Sequence, residues 1–197
     1  MPHQTFRKRR YAVKTMQLKD FVVSIDKYPF VHEKATVQDV AVALKEAWTK
    51  AKKGSAIPKE VIVLDENRHA VGKIGQLDLI VGLEDGYRKI GDIRAVSHTG
   101  FTRDFIKMMI DQHGLWQKPL AHICTKAGRI KVKDIMYTPK ESEYIEESGS
   151  LDEAIHQLVI GHHRNLIVTK DEQVVGVFRL DELFSKVCGE IYACSAV

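Results

Sequence analysis

Two acids stand at the same place in two similar stretches of this chain. In HAVGKIGQLDLI (69–80) Asp78 lies six residues after Gly72, and in QVVGVFRLDELF (173–184) Glu182 lies six after Gly176. A carboxylate can accept from two donors at once, and near a helix start it is also favoured by the backbone dipole. The third position after the glycine changes from Gly75 to Arg179. Glycine opens space there, whereas arginine offers a planar fork that either clamps an anion or fills a pocket. Other chemistry is not signalled. Nine histidines include the adjacent pair His162 and His163 but no H-x-x-x-H spacing, and Cys124, Cys188 and Cys194 form no metal-ligand pattern. LEDGYRKIGD (83–92) has lone glycines rather than a phosphate-cradling loop, and no G-x-S-x-G elbow occurs. The residues therefore read as binding groups, not as an enzyme's catalytic constellation or a metal site.

Composition sets the frame around them. The chain has 197 residues, 44% hydrophobic and 28% charged, with a net charge of +4. That is a globular composition with enough apolar content for a core. The charge permits an anionic ligand but does not point to nucleic acid, and RKRR (7–10) reads as a solvated arm. No apolar run approaches the ~20 residues of a membrane span. The basic FRKRRYAVK has no apolar stretch behind it, so no secretion signal is read, and three cysteines read as reduced thiols. The expected location is cytoplasmic.

The elements that must hold the two acids are themselves written twice. Sliding the sequence by 114 lays residues 18–44 over 132–158: Lys19 and Asp20 fall on Lys133 and Asp134, Val31 on Ile145, Thr36 on Ser150. Further on the offset becomes 104, with Ile62 on Leu166, Gly72 on Gly176 and Asp78 on Glu182, so the first copy carries ten extra residues around WTKAKKGSAIP. Thr36 with Asp39, and Ser150 with Glu153, have the form of a helix start. Behind them Val37, Val40, Leu44 and Trp48, and Leu151, Ala154, Leu158 and His162, recur at helical spacing. A hairpin follows in each copy, turning at Asp65-Glu66-Asn67 and at Lys170-Asp171-Glu172, and then a second helix opened by the acid. Each unit is strand, helix, strand, turn, strand, helix, and is too small to bury much alone. Between the copies, FTRDFIKMMIDQHGLW predicts a helix with Phe101, Phe105, Met108 and Met109 on one face, ending at Gly114. KPLAHICTKAG predicts another, from Pro119 to Gly128.

The twice-written K-D-(F/I), helix, strand and G-h-h-x-x-x-D-L pattern resembles a tandem pair of cystathionine β-synthase (CBS) domains, a Bateman module. VKDIMYTP (132–139) is close to that family's usual opening, and the resemblance covers roughly 16–84 and 130–190. It implies an α/β fold of two β-α-β-β-α repeats packed as a pseudo-twofold pair with a helical connector. The chain then divides into a basic arm 1–15, a first repeat 16–84, a connector 85–129, a second repeat 130–190 and a tail 191–197. The resemblance further implies two pockets between the repeats, which in many relatives bind AMP, ADP, ATP or S-adenosylmethionine. Such modules regulate or sense, require no cofactor, form homodimers through their helices, and act on an effector protein.

Position by position, the resemblance makes Asp78 and Glu182 ribose acids. It puts Ser or Thr where this chain has Gly75 and Arg179, which gives Arg179 either a phosphate or the task of filling its own pocket. Arg164, beside His163 in HHRNLIV (162–168), falls where relatives contact phosphate, with Glu60 as its first-copy counterpart. Ser24 and Thr138 fall where relatives place a hydroxyl near the ligand. The alternative roles for all of these are helix capping, turn formation and solvation, and the alternative function is a dimerisation or interaction scaffold with degenerate pockets.

Overall fold

The first strand of the chain does not join the sheet of its own repeat. The computed structural model describes residues 16–51, 57–84, 86–87, 90, 102–115 and 122–195; the arm 1–15, the middle of the first-copy insertion, Phe101 and Pro119 lie outside them. The strands are β1 (Val22–Ser24), β2 (Phe30–His32), β3 (Glu60–Leu64), β4 (Ala70–Gly75), β5 (Tyr144–Glu146), β6 (Asn165–Lys170) and β7 (Gln173–Arg179). The described helices are α1 (Val37–Lys50), α2 (Gln76–Leu83), α3 (Arg103–His113), α4 (Ile123–Arg129), α5 (Leu151–Gly161) and α6 (Leu180–Ser195). Two sheets form, ordered β2-β3-β4 and β1-β7-β6-β5.

Local chemistry explains most elements. Thr36 Oγ1 accepts from the Asp39 N–H at 3.4 Å while Asp39 Oδ2 accepts from the Thr36 N–H at 2.8 Å, the reciprocal cap that starts α1. Ser150 Oγ accepts from the Glu153 N–H at 3.0 Å and starts α5 the same way. The stripes behind them bury Val37, Val40 and Leu44, and Ala154 and Leu158. Trp48 and His162 leave the stripe: the Trp48 indole donates to the Pro58 carbonyl at 2.8 Å, and His162 ends α5 at φ 51°. The β6–β7 turn places Asp171 and Glu172 at φ 49° and 65°, the paired positive values a tight hairpin needs. In the connector, α3 stops at Gly114 with φ 60°, as its glycine predicts, while α4 runs one residue past Gly128 to Arg129. The Lys126 ammonium of α4 donates to the Leu83 carbonyl at 3.2 Å, which holds this helix on the first repeat.

Packing depends on an exchange between the repeats. Val22, Val23 and Ser24 of β1 pair antiparallel with Phe178, Val177 and Gly176 of β7, in the second repeat. The equivalent segment of the second repeat crosses back: Lys73 and Tyr137 exchange backbone hydrogen bonds of 2.8 and 2.9 Å. Buried side chains follow the strands across. Leu18 and Phe21 complete the core over β6 and β7 with Ala154, Leu158, Leu166 and Phe178. Val132, Ile135 and Met136 complete the core over β3 and β4 with Val40, Leu44, Val61 and Ile74. A third core of Ile25, Tyr28, Ile62, Leu64, Ile167, Val174 and Val177 lies between the two sheets. Strands β3 and β6 are thus covered on both faces, which is why Val61–Leu64 and Leu166–Thr169 are all buried rather than alternating.

The pairing also fixes the true correspondence of the repeats. Glu60 lies opposite Gly75 and Asn165 opposite Arg179, so β3 superposes on β6 with an offset of 105, not 104. Glu60 therefore corresponds to Asn165, and Arg164 to Lys59. The cause is the turn, which is one residue longer in the first copy between the paired residues Leu64 and Ala70 than between Thr169 and Val174.

The repeated glycine gains its meaning here. A Cβ on Gly176 would lie 2.5 Å from Val22 Cγ1 and 2.7 Å from the Val23 carbonyl oxygen; one on Gly72 would strike the Met136 side chain. Each glycine is the place where the crossing segment of the other repeat passes closest. Gly176→Ala is expected to lower stability by about 1–3 kcal/mol, because backbone stands in the way, and Gly72→Ala by less, because a methionine can bend aside. Urea unfolding midpoints of the two variants read the difference directly.

Candidate functional site

The exchange of strands gathers the residues singled out above into two junctions, each built from both repeats. The first lies where Tyr137 meets Lys73. Thr138 follows as an exposed residue, across from Gly72 in the same antiparallel run. On the other strand β4 continues to Gly75, which opens α2, and Asp78 Oδ2 accepts from the Gly75 N–H at 2.8 Å. The acid is thus oriented at a helix N-terminus. A Cβ on Gly75 would have Asp78 Oδ2 as its nearest neighbour, at 3.5 Å, so there is room for more than a hydrogen. His163 reaches the second repeat's contribution to this junction through Ser142, whose hydroxyl lies 3.3 Å from the imidazole Nε2.

Beside Ser142 stands a residue that the sequence did not signal. Glu143 is 2% exposed and pairs with the Lys73 ammonium of the first repeat, while its Oε1 accepts from the Lys140 N–H at 3.0 Å. The Lys73 ammonium also sits 5.5 Å from the centre of the Tyr137 ring. Burial pushes the Glu143 carboxyl upward, but the bonds from Lys73, the Lys140 N–H and the Tyr137 hydroxyl outweigh it and hold the pKa below the ordinary carboxylate value.

The second junction lies where β1 meets β7. Ser24 is opposite Gly176, and the following turn carries Tyr28, 3% exposed, whose hydroxyl has no hydrogen-bond partner among the described residues. Burial, with the charges of Glu60 and Asp181, pushes this phenol well above its ordinary range against the opposing pull of Arg179. Arg179 ends β7 with its side chain 5% exposed, 3.5 Å from Asp181 and 3.4 Å from Glu182. Between the junctions Glu60 Oε1 accepts from Asn165 Nδ2 at 2.8 Å.

The structure therefore brings Gly75, Asp78, Thr138 and His163 to one side and Ser24, Arg179 and Glu182 to the other. Arg164 is exposed just before β6, where its carbonyl accepts from the Leu180 N–H at 2.9 Å. Tyr28, Lys73, Glu143 and Asn165 were missed. Tyr28 corresponds to Ser142 and Glu143 to Pro29 in the repeat, so no duplicated signal marks them. Among the described residues no cluster of His, Cys, Asp and Glu is arranged to hold a metal, and no helix is long and apolar enough to cross a membrane.

The Lys73–Glu143 pair gives a pH prediction. A carboxyl held low in the folded chain adds stability that is fully present above its unfolded pKa and is lost as pH falls through the lower folded one. Lys73→Met strands the buried carboxylate, so it is expected to cost about 3–5 kcal/mol at neutral pH. Without Lys73, burial pushes the Glu143 carboxyl upward, so the variant takes up the proton on folding and its deficit against the wild type shrinks as pH falls. Urea midpoints of both proteins followed from neutral pH down through the carboxylate range would show both effects; a deficit that stays constant with pH would mean that the pair is not formed.

Comparison with known proteins agrees with this architecture. Residues 132–189 match the family described as CBS domain. No curated protein matches the chain in sequence. Among solved structures, a CBS domain-containing protein of Kribbella flavida superposes with a TM-score of 0.57 at 12% identity, over 88% of this chain and 98% of that one. CBSX2 in complex with AMP superposes at 0.55 and 17% identity, over 88% and 97%. CbpB in complex with c-di-AMP gives 0.54 and 13%, over 92% and 90%. With its second repeat matching the CBS domain and its strands exchanged between two copies of one unit, the chain has the fold of a tandem CBS pair.

Proposed function

We propose that this chain is a regulatory module, not an enzyme, that senses an adenosine-type nucleotide at the Asp78 junction. The carrying observation is the pair Gly75 and Asp78: open space beside a carboxylate oriented at a helix start. A carboxylate has about four acceptor positions, so holding the Gly75 N–H is compatible with accepting from ribose hydroxyls. Thr138, across from Gly72, stands three strand positions from Gly75, roughly 10 Å at ~3.3 Å per residue and so on the scale of a nucleoside. Two neighbours in fold were solved with an adenine nucleotide bound, AMP in CBSX2 and c-di-AMP in CbpB.

Calorimetry with AMP, ADP, ATP and S-adenosylmethionine tests this reading. Asp78→Asn keeps an oxygen for the helix cap but loses the charge, and is expected to weaken binding about tenfold, the scale of a charge-assisted hydrogen bond. Thr138→Ala is expected to have a smaller effect. No heat with any of the four would leave the scaffold reading, which the Arg179 side favours because its fork is already engaged by its own chain.

The same module is proposed to work as a homodimer in the cytoplasm. Helix α6 leaves Leu180, Phe184, Val187 and Ile191 exposed at spacings of four, three and four, which is a helix-packing seam. Ile80 of α2, the counterpart of Phe184, is exposed as well, and so is Leu77 one turn before it. Together they make an apolar face on both halves, of a kind that a second copy would cover. Sedimentation of the full chain is expected to give a dimer, and the double change Phe184→Glu and Ile191→Glu a 22.4 kDa monomer. A wild-type monomer at tens of micromolar, roughly where a standard interface holds, would remove this part of the proposal.

A further inference from the structure

We infer that Arg179 is a built-in occupant of the second junction: its guanidinium stands where a ligand would, engages Glu182, and leaves the chain with one nucleotide site, at Asp78. The inference rests on the reading of the Asp78 junction given above. The two junctions follow one backbone plan, and the residue that ends the strand differs between them: Gly75 in the first, Arg179 in the second. At Gly75 an added carbon would meet nothing closer than 3.5 Å. At the equivalent position the Arg179 side chain is 5% exposed and turns back on the helix that follows it, toward Asp181 at 3.5 Å and Glu182 at 3.4 Å. A guanidinium stays charged at any ordinary pH, so burying it requires acids close by, and the chain supplies them from its own next turn.

The surroundings suit a cation and not a phosphate. Arg179 is engaged by two carboxylates of its own next turn, and a third, Glu60, lies within electrostatic reach of the same Tyr28 phenol. A nucleotide phosphate would have to displace Asp181 and Glu182 to reach the fork. Tyr28 closes the space from the first repeat: it is 3% exposed, with its hydroxyl unpartnered among the described residues and within the electrostatic reach of Glu60, Arg179 and Asp181. Glu182 is the residue that the Gly-to-acid spacing marks as the second ribose acid, and the arginine three residues earlier takes it.

Titration with AMP reads the consequence as a stoichiometry. The wild-type chain is expected to bind one AMP, and Arg179→Gly, which reproduces the first copy, to bind two. Adding Glu182→Gln to Arg179→Gly should return the count to one. Two AMP per wild-type chain, or no gain with Arg179→Gly, overturns the inference. AMP bound only after Arg179→Gly keeps it and discards the Asp78 site instead; AMP bound by neither protein overturns both. A measurement that needs no nucleotide, and uses a chain that retains the arginine, is labelling with phenylglyoxal followed by peptide mass spectrometry. Arg179 should react far more slowly than the exposed Arg103, and the double change Asp181→Asn and Glu182→Gln should raise its rate severalfold. Equal rates for Arg179 and Arg103 in the wild-type chain overturn the inference whatever AMP does.

Discussion

Neither repeat can close its own core, and the rest of the molecule follows from that. The segment holding Leu18, Phe21 and Val22 belongs by sequence to the first copy and by burial to the second. Val132, Ile135 and Met136 are lent in the opposite direction. Apolar side chains cross because a three-layer unit of this size buries too little by itself, and pooling two of them gives strands covered on both faces. Any group placed at a crossing then touches both halves. A ligand that bound there would touch both repeats at once, and it would shift their arrangement only by as much as it bound one arrangement better than another.

The two crossings are equivalent in backbone and opposite in chemistry. At one, Lys73 meets a buried glutamate; at the other, the corresponding positions are Val177 and Pro29, and the charge sits instead at Arg179. In each case an ion pair lies beside a repeat boundary, but only at the Asp78 side does it leave the strand end small. A buried pair costs desolvation and earns specificity of alignment more than stability.

Much of this was legible in sequence, and the illegible part has one cause. The duplication, both capped helices, both hairpins and the glycine stop at Gly114 are local patterns, and local patterns survive into the fold. Which sheet a short strand joins is not local: Val22–Ser24 has the same alternation whether it pairs at home or abroad. For the same reason the offset of 104 was carried one residue too far through β3, since a hidden extra residue in a turn leaves no trace in hydrophobicity. Asp78, Gly75 and Arg179, which the repeated spacing marks, lie at the two crossings. Tyr28 and Glu143 were invisible because they become polar neighbours of the opposite repeat only after the exchange.

The contact between Glu60 and Asn165 shows what joining the copies in one chain allows. These two are the same position of the unit, and they touch each other, so they lie on the pseudo-twofold axis. Had the pair been two separate identical chains, that position would have been forced to face itself: glutamate against glutamate repels, and asparagine against asparagine loses the charged acceptor. A covalent tandem escapes self-pairing. Once the copies are free to differ on the axis, they are free to differ at every position beside it, and a symmetric scaffold can hold one open face and one closed.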